Sequence, residues 1–352
     1  MATTITGMHY CLPPKRLTNE ELNARFGEKA LASIVKMASV KERRVVSDGL
    51  TSSDLAYCAV TRFLAARNLD ASEIDLFIVA TQTGDYQLPA TACVLHGRLG
   101  LGHHCAAFDV NLGCSAFPYT ASIAAGLMET CGYRKALVVN ADAITTLIHP
   151  MDRGLVPLHG DAAVVSLLEP AQSGKGILWA ELGTDGSGSG HLVVPASGAR
   201  LPRSVETSKE ISDDSGIIRT QEHLYMNGPA VFHFSWHTVP DAIKAGLQKH
   251  QMTIEDFDLV LLHQANRTMV DMIYKVLGVP PEKRFHFMER VGNASGASTP
   301  MLLAEAWRQG LIKPGSRTLL ASFGVGLSWG ILAIEWPEDL VASRMEEVDY
   351  AC

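Results

Sequence analysis

Seven short, nearly continuous apolar segments recur along the chain and are separated by longer stretches of helical character. Such runs predict strands that are covered on both faces, because neither face keeps a polar row. The predicted strands are DLFIVAT (75–81), AAFDVN (106–111), ALVVNAD (136–142), AAVVSLLE (162–169), DLVLLHQ (258–264), TLLASF (318–323) and GILAIEW (330–336). The predicted helices are 53–68, 90–99, 115–130, 229–249, 267–277 and 299–310. This alternation predicts an α/β protein with mostly parallel sheets wrapped by helices.

The chain also repeats itself. DLFIVATQTG (75–84) resembles DLVLLHQANR (258–267), and FDVNLGCSAF (108–117) aligns with FMERVGNASG (287–296), so that Cys114 and Asn293 occupy equivalent positions. A helical stretch and then a strand follow each of them. Two related strand–helix halves are therefore expected.

The repeat divides the chain into three parts. The predicted parts are an N-terminal half at 1–170 that carries the nucleophile, a connecting segment at 171–228, and a C-terminal half at 229–352 with His263 and Asn293. The connecting segment is rich in Gly, Ser and charge and lacks long apolar periodicity. We expect it to form surface loops that serve as a lid or cap.

Composition narrows the class of protein. With 352 residues, 47% of them hydrophobic and 19% charged, the chain is expected to form a compact globular protein. A formal net charge of -7 argues against a general nucleic-acid binder. No apolar run approaches the length of a membrane span, and the start lacks the pattern of a secretion signal. Seven cysteines without a CxxC pair indicate reduced thiols in a cytoplasm.

Cys114 stands where an apolar strand ends at a Leu-Gly turn and small residues begin a helix. A helix N-terminus favours an anion, so the pKa of this thiol is expected to fall and the thiolate to be populated. Gly113 is expected to permit the sharp turn that presents the sulfur. A free cysteine is also a small apolar residue that is common in cores, and the residues alone leave both interpretations open.

His263 and Asn293 also lie at junctions between strands and helices. His263 ends an apolar strand, where open parallel sheets place their ligands, although a structural histidine would fit there equally well. Asn293 follows a glycine and precedes small residues, which also suits a plain turn. Because Cys114 occupies a corresponding junction of the other half, one cleft could hold all three side chains.

Two other patterns carry less weight. His233 and His237 have the helical spacing of two zinc ligands, but no HExxH motif or obvious third ligand accompanies them, so no metal is predicted. The glycines of FGVGLSWG (323–330) end one strand and enter another, so they are not a dinucleotide fingerprint. They suit a backbone turn that aims an amide at the site.

A set of motifs along nearly the whole chain resembles the β-ketoacyl-acyl carrier protein synthase III family of thiolase-like condensing enzymes. The motifs are VKERR (40–44), DVNLGCSAF (109–117), DRG (152–154), HGDAAVV (159–165), MNGPAVF (226–232), HQAN (263–266), VGNASGAS (291–298) and FGVGLSWG (323–330). The resemblance implies a thiolase-like fold, a layered αβαβα sandwich made of duplicated halves. It also implies a homodimer that works with an acyl carrier protein, with no membrane or nucleic-acid partner.

The resemblance further implies the chemistry of each residue. Cys114 would take an acyl group from an acyl-coenzyme A or acyl-carrier thioester, with the amides of Cys114 and Val325 as oxyanion hole. His263 and Asn293 would stabilise the enolate formed when a malonyl-carrier thioester loses carbon dioxide. Coenzyme A or phosphopantetheine thioesters would be substrates, and no cofactor is expected. Substrate binding is assigned to Arg153, Leu88, Phe323 and Asn266, and carrier docking to Arg267 and Lys275.

Several positions depart from the family pattern. Ser33 and Met37 stand where the family usually has the Trp and Arg that help to hold the nucleotide of coenzyme A, while Arg153 remains. Leu88 stands where some members carry a Phe from the neighbouring subunit that closes the acyl pocket. The smaller side chain leads us to expect a longer or unusual starter, delivered by a carrier protein instead of coenzyme A.

Two alternatives stay open at this stage. An acyltransferase or thioesterase of the same fold would form the Cys114 thioester but pass the acyl group to an alcohol, amine or water. The presence of both His263 and Asn293 argues against it, because decarboxylation is their shared purpose in the family. A non-catalytic scaffold that binds carrier proteins would not need an intact Cys–His–Asn set.

Overall fold

The computed structural model describes residues 2–47, 49–171, 175–338 and 348–350. The described strands are β1 (Thr3–Leu12), β2 (Arg16–Thr18), β3 (Glu42–Arg44), β4 (Leu76–Ala80), β5 (Ala106–Val110), β6 (Ala136–Asp142), β7 (Ala162–Pro170), β8 (Ile177–Thr184), β9 (Leu192–Val193), β10 (Ile211–Ser212), β11 (Ile218–Arg219), β12 (Tyr225–Met226), β13 (Leu259–Leu262), β14 (Arg317–Gly324), β15 (Ser328–Glu335) and β16 (Val348–Asp349). The described α-helices are α1 (Asn19–Phe26), α2 (Glu28–Ala38), α3 (Ser52–Arg67), α4 (Thr91–Leu99), α5 (Ala116–Cys131), α6 (Gly228–Lys249), α7 (Arg267–Val276) and α8 (Ser298–Arg308).

The predicted apolar strands and the predicted helices all occur, with ends that agree to within two residues. The apolar runs predicted these strands well because each strand is covered on both faces. In β4, for example, Leu76 and Ile78 pack toward the centre of the molecule, whereas Phe77 and Val79 pack on the opposite face. Alternation of side chains then produces one uninterrupted apolar run.

Two sheets with matching topology confirm the duplication. The first sheet has the strand order β16-β1-β7-β6-β4-β5, and the second has the order β13-β14-β15-β8. In the first sheet β1 and β7 are antiparallel, β7 and β6 are antiparallel, and β6 and β4 are parallel. The series β8, β15, β14 and β13 repeats that pattern of directions. A single parallel bridge between Val260 and Arg284 occupies the place that β5 has beside β4.

Part of the predicted connecting segment belongs to the second sheet instead. We predicted surface loops throughout 171–228, but Ile177–Thr184 is β8, the outer strand of the second sheet. Its sequence ILWAELGT has only a four-residue apolar run before Glu181, and most of its side chains are partly or fully exposed, so it lacks the longer run by which the other strands were found. The second half therefore begins near this strand. The remainder, up to β12, contains loops and short two-residue strands. Of the predicted C-terminal half, 339–347 and 351–352 lie outside the described residues.

The helices form three layers around the two sheets. Helices α5 and α8 contact both sheets and occupy the centre, α3 and α4 cover the outer face of the first sheet, and α6 and α7 cover the outer face of the second. Separate apolar clusters fill the centre and the two outer interfaces. Because α5 and α8 are the helices that follow Cys114 and Asn293, the central layer brings both junctions to the same region.

Candidate active site

A cavity of about 1330 Å³ brings Cys114, His263 and Asn293 together. It lies where β5, β13 and β14 end, so that its wall includes the residues that directly follow these strands. This is the edge at which parallel strands present ligand-binding groups. The repeat of the two halves therefore has a direct consequence, since equivalent junctions of the two halves supply one shared site.

The Cys114 sulfur is held at a close-packed turn between β5 and α5. Only 8% of the residue is exposed, and the turn is closed by the N–H of Ala116, which donates to the Gly113 carbonyl at 2.8 Å. The expectation for Gly113 was right about the residue but wrong about the cause. Its φ is not positive, and a side chain there would instead collide with the carboxamide of Gln82. The turn needs glycine for space.

The thiol is protonated more firmly than its place at a helix N-terminus predicts. Burial raises the pKa of Cys114 to about 11, and the Asp142 carboxylate adds to the rise. The Ser295 side chain and the backbone N–H groups of Val325 and Cys114 lie within hydrogen-bonding reach of the sulfur and oppose it. The expected fall in pKa was wrong, because loss of solvation and a nearby carboxylate outweigh the donors at the helix start.

Gly324 leaves room for the sulfur from the opposite side. A Cβ atom at Gly324 would lie 2.6 Å from the Cβ and 2.9 Å from the Sγ of Cys114. We expect Gly324→Ala to displace the sulfur, to lower the free energy of unfolding by about 1–3 kcal/mol and to block acylation of Cys114. Urea denaturation and mass spectrometry after thioester treatment measure the two effects. Gly186→Ala is the matched control, since nothing lies within 4 Å of that site; an equally harmless Gly324→Ala would contradict the geometry.

The His263 imidazole is uncharged at neutral pH. The residue is 1% exposed, its backbone N–H donates to the Ala321 carbonyl at 2.8 Å, and its ring meets that of Phe323 edge-on with centroids 5.5 Å apart. Burial, reinforced by His159, lowers the pKa of His263 to about 3. Its Nδ1 atom is buried and has no hydrogen-bond partner among the described residues. A neutral ring can still donate one N–H into the cavity.

This lowered pKa predicts an acid-sensitive fold. Below its ordinary pKa near 6.5 the histidine takes up a proton in the unfolded chain but stays neutral in the folded protein until the pH approaches 3. Its contribution to stability is thus complete above pH 6.5 and is lost as the pH falls. Between pH 7.5 and 5.5 we expect His263→Gln to lose roughly 1 kcal/mol less unfolding free energy than wild type.

Denaturant titrations at the two pH values measure that difference. His103→Gln, at an exposed histidine, is the control and should follow wild type. Equal losses in wild type and His263→Gln would mean that His263 is not held neutral.

The Asn293 carboxamide has a defined orientation. Its Oδ1 accepts hydrogen bonds from the Ser295 N–H at 3.0 Å and from the Ser298 hydroxyl at 3.1 Å. Its backbone is fixed by the N–H, which donates to the Leu158 carbonyl at 2.8 Å. Because both donors approach the oxygen, the Nδ2 amide group remains available to a ligand in the cavity. The site therefore offers two neutral N–H donors near a thiol.

Three more of the predicted residues line the cavity. Phe323 and Val325 belong to its wall at the end of β14, and Asn266 belongs to its wall at the start of α7. The Oδ1 atom of Asn266 also accepts the Met269 N–H at 2.8 Å and caps the helix. Its side chain thus has a structural task besides any contact with substrate.

The structure does not bring the other four predicted residues into the cavity wall. Arg153 donates instead to the Ser215 carbonyl. Leu88 is 81% exposed on the surface of the chain. Arg267 pairs with Asp271 at 2.7 Å, and Lys275 is exposed on the same helix. Both cations lie on α7, whose first turn reaches the cavity through Asn266 and Met269.

Sequence reasoning missed four residues of the site. The Ser295 side chain lies within hydrogen-bonding reach of the Cys114 thiol, and the Asp142 charge acts on the pKa of that thiol. His159 acts on the pKa of His263, and Arg203 is the only Lys or Arg among the described residues that line the cavity. Asp142 carried a usable signal, because it ends the strand ALVVNAD just as His263 follows its own strand. Arg203 carried none, since it lies in a loop without periodicity.

Two other expectations concern metals and membranes. His233 and His237 lie with ring centroids 4.5 Å apart, and both are exposed on α6. Among the described residues there is no group of three or more His, Cys, Asp or Glu side chains placed to hold a metal ion. Over the same residues, no helix has the length and apolar character needed to cross a bilayer.

Known proteins resemble this chain over almost its full length. The family described as 3-oxoacyl-[acyl-carrier-protein (ACP)] synthase III matches residues 108–186, and its C-terminal part matches residues 247–336. A beta-ketoacyl-[acyl-carrier-protein] synthase III of Symbiobacterium thermophilum is 36% identical over 332 residues, which are 94% of this chain and 97% of the relative.

Solved structures agree. A crystal structure of a 3-oxoacyl-(acyl-carrier-protein) synthase III has a TM-score of 0.92 and 36% identity, covering 96% of this chain and 100% of its own. A 3-oxoacyl-(acyl-carrier protein) synthase from Burkholderia xenovorans LB400 has a TM-score of 0.90 and 31% identity, covering 99% of this chain and 97% of its own. The predicted thiolase-like fold is confirmed. With its duplicated halves and its Cys–His–Asn cavity, the chain belongs to the β-ketoacyl-acyl carrier protein synthase III family.

Proposed function

We propose that this protein transfers a starter acyl group to Cys114 and then condenses it with a malonyl-carrier thioester, with loss of carbon dioxide. The observation that carries the proposal is the shared cavity, in which a thiol faces a neutral imidazole and a carboxamide of fixed orientation. Such a reaction belongs to fatty-acid or secondary-metabolite synthesis. The protein's membership of the synthase III family supports it.

The first step is an exchange of thioesters. The Cys114 sulfur attacks the carbonyl carbon of an acyl-coenzyme A or acyl-carrier thioester, and the departing thiol leaves with the proton that Cys114 loses. The N–H groups of Cys114 and Val325, which reach the sulfur in the free protein, are placed to stabilise the carbonyl oxygen of the tetrahedral intermediate. The acyl group is then held on the enzyme as a thioester.

The second step forms the carbon–carbon bond. A malonyl-carrier thioester places its thioester oxygen between the His263 ring and the Asn293 Nδ2 group, and loss of carbon dioxide leaves an enolate on that oxygen. Two neutral donors stabilise the developing charge without a competing counterion. The enolate carbon attacks the acyl thioester, the Cys114 thiolate departs, and a proton from solvent restores the thiol.

The cavity supports a starter larger than acetyl. Its volume of about 1330 Å³ exceeds the roughly 300–1,000 Å³ of ordinary ligand pockets. Leu147, Leu192 and Leu224 line part of it. Met37, which also lines it, replaces the cation that the family usually offers to coenzyme A. These residues favour a longer acyl chain that arrives on a carrier protein.

The partners follow from the same proposal. Coenzyme A or phosphopantetheine thioesters act as substrates, and the chemistry requires no metal or redox cofactor. Arg267, at the start of α7 beside the cavity, and Lys275, about two turns further along the helix, offer cations to an acidic carrier protein. Arg153 is placed to contact a nucleotide only if it releases the Ser215 carbonyl. A homodimer would cover the exposed Leu88.

Product analysis tests the proposal. Purified protein is mixed with acetyl, octanoyl and dodecanoyl thioesters of coenzyme A and of carrier protein, together with malonyl-carrier. We expect a β-ketoacyl-carrier product and one carbon dioxide for each product, with the carrier-bound longer starters preferred. Free acid, ester or amide without carbon dioxide would favour an acyltransferase or thioesterase instead. No product with any donor would overturn the proposed reaction, and exclusive use of acetyl-coenzyme A would overturn the proposed starter.

A further inference from the structure

A buried carboxylate lies close to the turn that carries the proposed nucleophile. Asp142 ends β6 and is fully buried. Its Oδ1 accepts the Gln82 N–H at 2.8 Å, and its Oδ2 accepts the Gly296 N–H at 3.1 Å. The Thr83 hydroxyl lies 3.3 Å from Oδ1. Burial raises the pKa of Asp142, but each oxygen faces a backbone N–H group that can only donate, and these donors oppose the rise by stabilising the ionised form.

Ser295 connects this carboxylate to the rest of the site. Its hydroxyl lies within hydrogen-bonding reach of both the Cys114 thiol and the Asp142 carboxylate. Its N–H donates to Asn293 Oδ1 at 3.0 Å. The residue has φ 51°, in the left-handed region that non-glycine residues seldom adopt. This backbone conformation accompanies an arrangement in which one residue touches three groups of the site.

The two turns are packed too closely for independent movement. A Cβ atom at Gly296 would lie 3.1 Å from the Gly113 carbonyl oxygen and 3.3 Å from Asp142 Oδ2. A Cβ atom at Gly113 would lie 3.2 Å from the Ser295 hydroxyl. The turn that carries the sulfur and the loop that carries Asn293 therefore share one boundary, and Asp142 and Ser295 occupy it.

We propose that Asp142 and Ser295 are a positioning pair, which fixes Cys114 and Asn293 relative to each other and gives the sulfur two opposed neighbours, an anion and a hydroxyl donor. The proposal rests on the function proposed above for Cys114 and Asn293. The Asp142 charge disfavours a thiolate at Cys114. The single Ser295 hydroxyl proton is shared between two acceptors: it is donated to Asp142 while Cys114 is a thiol, and it can be donated to the sulfur when the thiolate forms, so this hydroxyl favours the thiolate. Removing one or the other should therefore change the reactivity of the sulfur in opposite directions.

The other titratable groups around the sulfur are few. His263, across the cavity, is neutral through its lowered pKa, and His159 lies beyond it. Asp161 is buried, and its own pKa is raised by burial and by Asp142. Among the largest influences on the Cys114 thiol, Asp142 is the charged group. Burial and Asp142 raise the pKa of Cys114 to about 11, and the Ser295 side chain opposes the rise.

The test measures the rate at which iodoacetamide alkylates Cys114 between pH 7 and 10, followed by mass spectrometry of the Cys114 peptide. The free protein is used, without any thioester. Alkylation at pH 8 should be about tenfold faster in Asp142→Asn and several-fold slower in both Ser295→Ala and Ser295→Gly. The glycine variant removes the hydroxyl without any penalty for the positive φ. Ser122→Ala, which removes a hydroxyl that donates to the Pro118 carbonyl one turn earlier on α5, is the control.

Opposite changes support the pair, because general loosening of the site would accelerate alkylation in every variant. Equal rates in wild type and both Ser295 variants, or faster alkylation in them, would overturn the proposal even if Asp142→Asn failed to fold. The test needs no acyl donor and no product. A failure of the proposed condensation would appear instead as a missing β-ketoacyl product while the alkylation rates keep their pattern.

Discussion

Replacement of Cys114 by Ala should abolish acylation and lower condensation by more than about a thousandfold. The acyl group is held by a covalent bond to the Cys114 sulfur, and no other described thiol lines the cavity to accept it. Because Ala is slightly smaller and apolar, the buried turn should keep its structure. We expect no mass gain on treatment with any acyl thioester.

The same variant should still release carbon dioxide from malonyl-carrier. His263 and Asn293 are held by their own contacts to Ala321, Ser295 and Ser298, none of which involves the Cys114 side chain. Release of carbon dioxide without a condensation product would therefore accompany the loss of acylation. Cys131→Ala, an exposed site at the far end of α5, is the matched control. Persistent acylation of Cys114→Ala would mean that another residue is the nucleophile.

Replacement of His263 by Ala, or of Asn293 by Asp, should separate the two half-reactions. Each variant removes one neutral donor to the enolate oxygen, a change that typically costs about 10²–10³ in rate. Asp at position 293 keeps an oxygen for the Ser295 N–H and the Ser298 hydroxyl but lacks the Nδ2 donor. Acylation of Cys114 should continue while condensation and release of carbon dioxide fall together.

Rapid-quench measurement of both half-reactions checks this expectation. Asn293→Ala is a useful companion, since it also removes the acceptor that holds Ser295 and should be less stable than Asn293→Asp. In a double variant that lacks both the His263 and the Asn293 donor, the losses of transition-state stabilisation should not simply add, because both donors act on the same enolate oxygen. Equal losses of acylation and condensation in the single variants would contradict the assigned division of labour.

Much of the fold could be predicted from the sequence because apolar runs and the internal repeat follow directly from how the strands are buried and duplicated. Strands covered on both faces, such as β4 and β6, are apolar throughout, and the repeat aligns the junctions at Cys114 and Asn293. The strand β8 was missed because it is an outer strand whose residues are only partly buried. Likewise β1 interleaves Thr, Gly and His with apolar residues, although most of it is buried. The strand β1 is buried because it pairs with β7 and packs against the central layer of helices, and its own sequence pattern does not indicate this.

The candidate site shows the same division between local and long-range causes. Cys114, His263 and Asn293 were named from junctions, which are local features. The pKa of Cys114 was predicted in the wrong direction because burial, and then the charge of Asp142 on a different strand, act on the sulfur only in the folded chain. Arg153 was expected to face the substrate, yet the Ser215 carbonyl holds it outside the cavity wall. Contacts between distant segments decided both cases.

Intact-protein mass spectrometry of the acyl-enzyme is the most direct test of the central claim, that Cys114 carries the acyl group to a malonyl-derived enolate. The protein is first treated with an acyl thioester and freed of excess donor, and malonyl-carrier is then added. We predict a mass gain of one acyl group, located on the Cys114 peptide, that disappears on the addition as the β-ketoacyl-carrier forms. An adduct that malonyl-carrier leaves in place, or no adduct with any donor, would contradict the account.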